Sequence, residues 1–278
     1  MGDCRLYIGT SGYSYAEWID AGFYPPGTRS AGMLDFYAGH FPATELNYTW
    51  YQMPRASTVE KICRRLPEHF RVSAKLTRTM THEVDPNGWK AQAALYREGI
   101  APLARTGKLL ALLIQLPPSF KWTVKSRQYL AALLDEFADF PLAVEFRHRS
   151  WARASVYKGL ARRNVTLVNV DVPDLDYLFP PGSQVTRPDL FYLRLHGRNR
   201  KGWGSGNMQD QFNYDYTEDE LLSLVKSTIR PMTQKAAAGC IFFNNHVAAQ
   251  APRNAETLIT LLEKAGISTT AGKGKNSG

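Results

Sequence analysis

The chain has 278 residues, of which 44% are hydrophobic and 12% aromatic, and it carries a formal net charge of +9 at pH 7. This length and hydrophobic content suit one domain with a sizeable core and exclude a chain that is disordered throughout. No apolar stretch approaches the length of a membrane span, and no charged leader precedes an apolar segment, so we expect neither membrane insertion nor secretion. Three widely spaced cysteines indicate reduced thiols, and we therefore expect a cytoplasmic protein.

The composition stays uniform along most of the chain, and no segment has the character of a linker. We therefore predict a single domain over residues 1–266. The last residues, which end in AGKGKNSG, are poor in apolar side chains. We predict a disordered tail over residues 267–278.

Eight short apolar runs predict β-strands, and most are separated by segments with helical periodicity. The predicted strands are Cys4–Gly9, Ala43–Leu46, Phe70–Ala74, Leu109–Leu116, Pro141–Phe146, Val165–Val170, Leu190–Leu195 and Gly239–Phe243. The predicted helices are Met33–Phe41, Ser57–Leu66, Lys90–Ala104, Ser126–Phe137, Trp151–Arg163, Glu218–Ile229 and Ala255–Ala265. A strand followed by a helix, repeated eight times, is the order expected of an α/β TIM barrel with parallel strands.

The alternation of side chains within the strands supports a barrel more strongly than the number of strands does. Successive strand residues point to opposite faces. In the fifth predicted strand Val144 and Phe146 share one face, and Glu145 and Arg147 share the other. The seventh strand repeats the pattern, with the polar face formed by Tyr192, Arg194 and His196. An open doubly wound sheet with polar strand ends remains the alternative.

Polar residues stand at the C-terminal end of nearly every predicted strand, where barrel enzymes place their active sites. We expect them to form one polar ring around the barrel mouth. The ring comprises Thr10, Ser11, Glu45, Asn47, Lys75, Gln115, Glu145, Arg147, Asp171, Arg194, His196, Asn244, Asn245 and His246.

Five members of this ring are candidate catalytic residues. Glu145 and Glu45 are the preferred acid/base groups, because a carboxylate in a barrel mouth has its pKa raised by burial or lowered by a neighbouring arginine. His196 would assist them as an acid/base group. Asp171 is the fifth candidate. A structural ion pair between Glu145 and Arg194 or Arg147 is the alternative to a catalytic role.

Lys75 is the most distinctive candidate, because lysine is rarely oriented inward unless it is paired or used. As a nucleophile for a carbonyl it would need a lowered pKa, which repulsion from Arg147 and Arg194 would supply. Glu45 would have the opposite effect and hold the amine protonated. We prefer a charged Lys75 that binds a phosphate or carboxylate group of a substrate together with the two arginines.

Other polar and aromatic residues near the strand ends are candidate substrate-binding groups. They would supply charge, neutral hydrogen bonds, or rings that stack on a sugar or base. They are Arg147, Arg194, Asn47, Gln115, His82, Asn244, Asn245, Tyr13 and Trp18. A glycine-rich loop from Gly197 would act as a lid that carries Arg198, Arg200 and Lys201 towards an anion.

A divalent metal is a further alternative at the same mouth. Glu145, Asp171, His196 and His246 would make an oxygen-rich site with two imidazoles. No local spacing such as HExxH fixes these ligands, and the three cations expected in the mouth would repel a divalent ion. The sequence therefore does not decide whether the protein binds a divalent metal as a cofactor.

Eight sequence blocks resemble the YecE-like family, which is catalogued as domain of unknown function 72. The blocks are GTSGYSYAEW from Gly9, FYP from Phe23, TELNYTWYQMP from Thr44, VSAKLTRTMTHE from Val72, QLPPSF from Gln115, VEFRHRSW from Val144, YLRLHG from Tyr192 and FFNNH from Phe242. The resemblance extends from about Tyr7 to Leu262 and implies a TIM barrel, but it supplies no activity. Ala248 and Ala249 stand where this family often has a glycine.

Two functional hypotheses follow from the ring. The first is an enzyme that acts by acid/base chemistry on a small anionic substrate, either phosphorylated or sugar-like, and we prefer this small molecule as the partner. The second is a nucleic-acid-binding protein or a metal-dependent phosphodiesterase similar to an endonuclease. A net charge of +9 is compatible with the second, although many of the basic residues lie on predicted helices where an exposed, solvated face is usual.

Overall fold

The computed structural model describes residues 4–270, and eight parallel strands within them form a closed barrel in the order β1 to β8. The strands are β1 (Arg5–Ser11), β2 (Ala43–Leu46), β3 (Arg71–Lys75), β4 (Leu109–Gln115), β5 (Leu142–Glu145), β6 (Thr166–Asp171), β7 (Phe191–Leu195) and β8 (Ala238–Phe243). The predicted TIM barrel is confirmed, and the alternative of an open doubly wound sheet is wrong.

Helices connect most of the strands and pack their apolar faces against the barrel. They are α1 (Glu17–Asp20), α2 (Ser30–His40), α3 (Tyr48–Tyr51), α4 (Ala56–Arg65), α5 (Trp89–Arg105), α6 (Val124–Glu136), α7 (Ala154–Arg162), α8 (Met208–Gln211), α9 (Glu218–Leu224), α10 (Arg230–Thr233) and α11 (Gln250–Lys264). A π-helical segment, Val225–Ile229, joins α9 to α10, so the predicted helix Glu218–Ile229 is longer than expected and irregular in its middle.

The alternation of strand and helix is interrupted between β6 and β7, where the sequence predicts no helix either. The described chain forms no helix there. The intervening loop instead covers the outer face of β6 and is held to it by hydrogen bonds. The Thr186 hydroxyl accepts a hydrogen bond from the Leu167 backbone N–H and donates one to the Val165 carbonyl. The Asn169 side chain donates to the Gln184 carbonyl on the same outer face. Polar contacts therefore replace the missing helix.

Side chains alternate between the barrel interior and the outer layer as predicted. Within the interior, the rings of Tyr192 and Phe242 lie 5.5 Å apart between centroids. On the outer face, Gly239 leaves room for the ring of Phe191, because a Cβ atom at residue 239 would lie 2.1 Å from that ring. This alternation places the polar residues at the ends of β5 and β7 inside the barrel, where they meet.

The loop after β8 has an unusual backbone. Ala248 and Ala249 both have positive φ angles, 49° and 54°, in the left-handed region that favours glycine. The turn places His246 against the first loop, where its carbonyl accepts a hydrogen bond from Trp18 Nε1 at 2.7 Å.

The end of the described chain lies beside β1. Thr269 pairs with Leu6 in a parallel bridge, and the Thr270 backbone N–H donates to the Leu6 carbonyl at 2.9 Å. Residues 267–270 of the predicted tail therefore have defined contacts, and the remainder of that tail, residues 271–278, lies outside the described residues. Among the described helices, none is long and apolar enough to cross a bilayer.

Candidate active site at the barrel mouth

Two glutamates and two arginines form a buried ion cluster at the C-terminal end of the barrel. Arg194 Nε lies 2.6 Å from Glu45 Oε1, and Arg194 Nη1 lies 2.6 Å from Glu145 Oε2. The other Glu145 oxygen pairs with Arg147 Nε. The glutamates are fully buried and Arg194 is almost fully buried. Each of these charges would be costly to bury without the opposite charge beside it.

Neighbouring strands complete the hydrogen bonding of this ion cluster. The register of β1 and β2 places Ser11 beside Glu45. The Ser11 hydroxyl donates to Glu45 at 2.9 Å and accepts from Arg194 Nη2 at 3.2 Å. On the other side, His196 Nε2 lies 3.2 Å from Glu145 Oε1. Both carboxylates therefore have several donors, as a buried carboxylate requires.

His196 is held as a neutral ring. Asn244 Nδ2 lies 3.0 Å from His196 Nδ1, so Nδ1 accepts and the ring proton on Nε2 donates to Glu145. Burial, with repulsion from Arg147, lowers the pKa of His196 to about 3. The histidine is therefore a hydrogen-bond donor to Glu145 at neutral pH, and not a cation.

Glu145 stays ionised because its partners outweigh its burial. Burial alone would raise the pKa of the Glu145 carboxyl, but Arg147, Arg194 and His196 hold that pKa well below its usual range. A carboxylate whose pKa is lowered in this way has no proton to donate near pH 7 and is a weak base. The geometry thus corresponds to the structural ion pair that was the alternative to a catalytic Glu145.

Lys75 lies next to the ion cluster but makes no ion pair with it. Its Nζ lies 4.8 Å from the centroid of the Trp50 ring, in a cation–π contact. Among residues 4–270, no carboxylate oxygen lies within ion-pair distance of this Nζ. Burial, with repulsion from Arg194 and Arg147, lowers the pKa of Lys75 to about 7, against a smaller opposing effect of the two glutamates.

A cavity of about 880 Å³ opens directly above these groups. Most of the predicted substrate-binding residues line it, together with Lys75 and Glu45. They are Arg147, Arg194, Asn47, Gln115, His82, Asn244 and Tyr13. The structure therefore brings together the cations, amides and one aromatic ring that the sequence pattern grouped at the mouth.

Asp171 does not reach this cavity, although it ends a strand. Asn169, two residues earlier on β6, contacts the outer loop, so Asp171 lies on the same outer side. Its carboxylate accepts hydrogen bonds from Tyr216 at 2.7 Å and from Arg198 at 2.8 Å. Arg198 also pairs with Glu220. The expectation that Arg198 reaches towards an anion in the mouth is therefore wrong.

Trp18 and Asn245 also lie behind the cavity wall. Trp18 is fully buried and packs edge-on against Phe23, with ring centroids 5.4 Å apart. Asn245 is fully buried as well, and its amide donates to the Tyr214 carbonyl and to Asn254 Oδ1. Both residues support the loops of the mouth and do not line the cavity themselves.

The four candidate metal ligands do not converge on one point, although Glu145 and His196 are hydrogen-bonded to each other. Asp171 is bound by Arg198 and Tyr216, and His196 by Glu145 and Asn244. His246 lines the cavity but stacks on Tyr15, with ring centroids 4.9 Å apart. Within residues 4–270, no group of three or more His, Cys, Asp or Glu side chains is arranged to hold a metal ion.

Several cavity residues come from loops and were missed in the sequence. Trp203 and Phe212 belong to the long segment after β7, and Tyr177 to the loop after β6. Met208 begins the short helix α8. Arg147 lies over Trp203, 5.7 Å from its ring centroid. The sequence predicts that the cations of the glycine-rich loop face the site, whereas the structure places Trp203 of that loop in the cavity wall.

The fold and site define a class of protein: a parallel eight-stranded barrel with a buried ion cluster beneath an aromatic-walled cavity. Residues 7–275 match the family described as Protein of unknown function DUF72. The match extends over nearly the whole chain, so this protein belongs to that family. The resemblance inferred from the eight sequence blocks is confirmed.

Individual relatives agree with this assignment. UPF0759 protein YunF from Bacillus subtilis is 28% identical in an alignment of 272 positions that covers 93% of this chain and 95% of that protein. A solved DUF72 family protein from Thermotoga maritima is 32% identical, covers 93% of this chain and 99% of its own, and superposes with a TM-score of 0.84. One from Enterococcus faecalis is 26% identical, with 93% and 95% covered and a TM-score of 0.83.

The ion cluster predicts a large loss of stability when one of its charges is removed. We expect Glu145→Gln to lower the free energy of unfolding by about 3–5 kcal/mol, because Arg147 and Arg194 would keep their buried charges without a carboxylate between them. Chemical denaturation at pH 7 measures this change.

The matched control is Glu60→Gln, which removes a carboxylate from the exposed pair between Arg105 and Glu60. Its side chains are 65% and 46% exposed, so we expect a change of no more than about 0.5 kcal/mol. Equal losses in the two variants would contradict the account of the ion cluster.

Proposed function

We propose that this protein is an enzyme that binds a small anionic substrate in the barrel-mouth cavity and uses Lys75 for acid/base chemistry. The observation that carries the proposal is the position of Lys75. It lines the cavity beside two arginines, yet it forms no ion pair with a carboxylate of the described chain. A cation in such a position attracts a negatively charged ligand.

The charge balance of the mouth supports an anionic substrate. Glu45 and Glu145 carry two negative charges, and Arg147 and Arg194 carry two positive charges, all within one set of ion pairs. A protonated Lys75 adds a positive charge that the cluster leaves unbalanced. A phosphate or carboxylate group of a substrate would supply the missing negative charge and would form charge-assisted hydrogen bonds.

The pKa of Lys75 supports a role in proton transfer. At a pKa of about 7, the amine is present in both its protonated and neutral forms near neutral pH. A bound anion would raise this pKa and leave Lys75 as an acid, whereas release of the anion would return a base. In this proposal Glu145, Glu45 and His196 act on the substrate indirectly, by fixing the arginines that set the pKa of Lys75.

Binding of nucleic acid is the second candidate function. The net charge of +9 and the aromatic rings at the cavity favour it. Against it, Arg198 is engaged by Asp171 and Glu220, so the loop after β7 offers fewer cations than its sequence indicates. The separated positions of the candidate ligands give no support to the metal-dependent form of this alternative. A small anionic molecule is therefore the partner that we propose.

The proposal predicts how anion binding depends on pH. Sulfate is a suitable probe, because its charge does not change between pH 6 and pH 9. Binding requires a protonated Lys75, and the free protein loses that proton as the pH rises through about 7. Sulfate affinity should therefore be constant below pH 7 and should fall by about tenfold per pH unit above it. Isothermal titration calorimetry measures this dependence.

Two variants test whether Lys75 causes this pH dependence. Lys75→Met should abolish most of the sulfate binding and its pH dependence. Lys90→Met removes an exposed lysine that also lies over a tryptophan, 5.9 Å from the Trp89 centroid, and should behave like the wild type. A sulfate affinity that is the same at pH 6.5 and pH 8.5 would contradict the role given to Lys75.

Catalysis is tested separately from binding. The protein is incubated in deuterated buffer with a panel of phosphorylated sugars, nucleotides and hydroxy acids, and each compound is followed by NMR for conversion or deuterium incorporation. We expect at least one compound to react with the wild type and not with Lys75→Met. If anions bind but none of them reacts, the mouth is a binding site and the enzymatic part of the proposal is wrong.

A further inference from the structure

The rim of the barrel-mouth cavity carries an unusual concentration of exposed apolar side chains. The large hydrophobic residues that are exposed among residues 4–270 are Tyr51, Leu95, Val124, Tyr177 and Met208. Tyr51, Tyr177 and Met208 line this one cavity, and they are 53%, 41% and 54% exposed. Exposed apolar side chains that gather at one concave site indicate a ligand that covers them.

The three rim residues come from separate parts of the chain. Tyr51 ends α3 after β2, Tyr177 lies in the loop between β6 and β7, and Met208 begins α8 after β7. They are therefore not a by-product of one poorly packed helix. Their convergence on the rim is a property of the folded barrel, and each reaches it from the C-terminal side of a different strand.

Aromatic rings continue from the rim down to the cations. Trp50 lies 4.8 Å from Tyr51 between ring centroids, with the two rings nearly perpendicular, and it contacts Lys75 below. Trp203 lies over Arg147. The cavity is thus polar and cationic at its floor and aromatic at its walls and rim, in a volume of about 880 Å³.

A phosphate or carboxylate alone would pair with the cations at the cavity floor but would leave the apolar rim residues exposed. A sugar phosphate would reach further, but a sugar ring lacks the planar π face that a base would present to the rim residues. A planar ring attached to the anion would bury the rim residues and stack on them, because every nucleobase has a π face. Met208 would adapt its flexible side chain to such a ring.

We infer that the substrate of this site is a monoester phosphate that carries a planar aromatic ring, in the manner of a nucleoside monophosphate. Its phosphate lies against Lys75 and Arg147 at the floor, and its ring lies among Tyr51, Tyr177 and Met208 at the rim. This inference rests on the proposed function and adds the substrate class to it. A single-stranded nucleic acid shares the same groups and is distinguished by experiment.

The test compares three probes by isothermal titration calorimetry at pH 6.5. Adenosine 5′-monophosphate carries both groups, ribose 5-phosphate lacks the ring, and adenosine lacks the phosphate. We expect adenosine 5′-monophosphate to bind at least about fivefold more tightly than ribose 5-phosphate, since that factor corresponds to the lower end of the stacking energy on one aromatic residue. Adenosine should bind more weakly than its monophosphate.

Variants at the rim locate the ring. Tyr51→Ala should weaken binding of adenosine 5′-monophosphate by about tenfold and leave binding of ribose 5-phosphate unchanged. Leu95→Ala removes an equally exposed apolar side chain, 51% exposed, that does not line this cavity, and should change neither affinity. Both side chains are exposed, so neither variant is expected to unfold the protein.

Each outcome separates this inference from the proposed function. If ribose 5-phosphate binds through Lys75 but adenosine 5′-monophosphate binds no more tightly, the inferred ring is wrong and the anion site stands. If neither phosphate binds, the proposed function itself fails. If a single-stranded oligonucleotide binds far more tightly than the monophosphate, with affinity that falls steeply with salt, the site belongs to a polynucleotide and the inferred substrate class is overturned.

Discussion

Charges buried inside a barrel must be balanced, and the mouth of this protein is built around that constraint. Glu45 on β2 and Glu145 on β5 would each be expensive to bury alone. Arg194 reaches both of them from β7, and Arg147 adds the second positive charge from the end of β5. The pairs thus connect strands across the barrel, and their geometry depends on the register of each strand.

The properties of Lys75 follow from this arrangement. The two arginines already pair with Glu45 and Glu145, and within residues 4–270 no carboxylate oxygen lies within ion-pair distance of the lysine Nζ. The arginines repel the ammonium, and Trp50 covers one side of it. The same ion pairs that stabilise the mouth therefore leave it with a cation whose charge is easily lost. The ion pairs and the unpaired lysine are in this way two parts of one charge distribution.

The sequence predicted much of this site, because side chains on strands alternate with a fixed period. Glu145 and Arg194 stood on the polar faces of two predicted strands, and the structure brings them within 2.6 Å of each other. The alternation in β6 has the opposite consequence for its last residue. Asp171 shares its parity with Asn169, which contacts the outer loop, so an inward Asp171 was never consistent with the strand.

Residues in loops could not be placed in this way, because their direction depends on tertiary contacts. Tyr13 and Trp18 both lie in the segment after β1, yet Tyr13 lines the cavity and Trp18 is buried against Phe23. The sequence also does not show whether Arg198 is available to bind an anion or is paired with carboxylates of the protein. Its partners Asp171 and Glu220 are 27 and 22 residues away in the chain. Only the folded chain shows which charges are already paired.

The most direct test of this account is the pKa of Lys75, measured by NMR titration of protein that carries ¹³C at the lysine Cε atoms, with Lys75→Arg used to assign the resonance. The account predicts a midpoint of about 7 in the free protein and a higher midpoint when sulfate is bound. A midpoint near the ordinary lysine value of about 10.4 in the free protein would contradict it, because Lys75 would then have a negative partner that the charge balance does not contain.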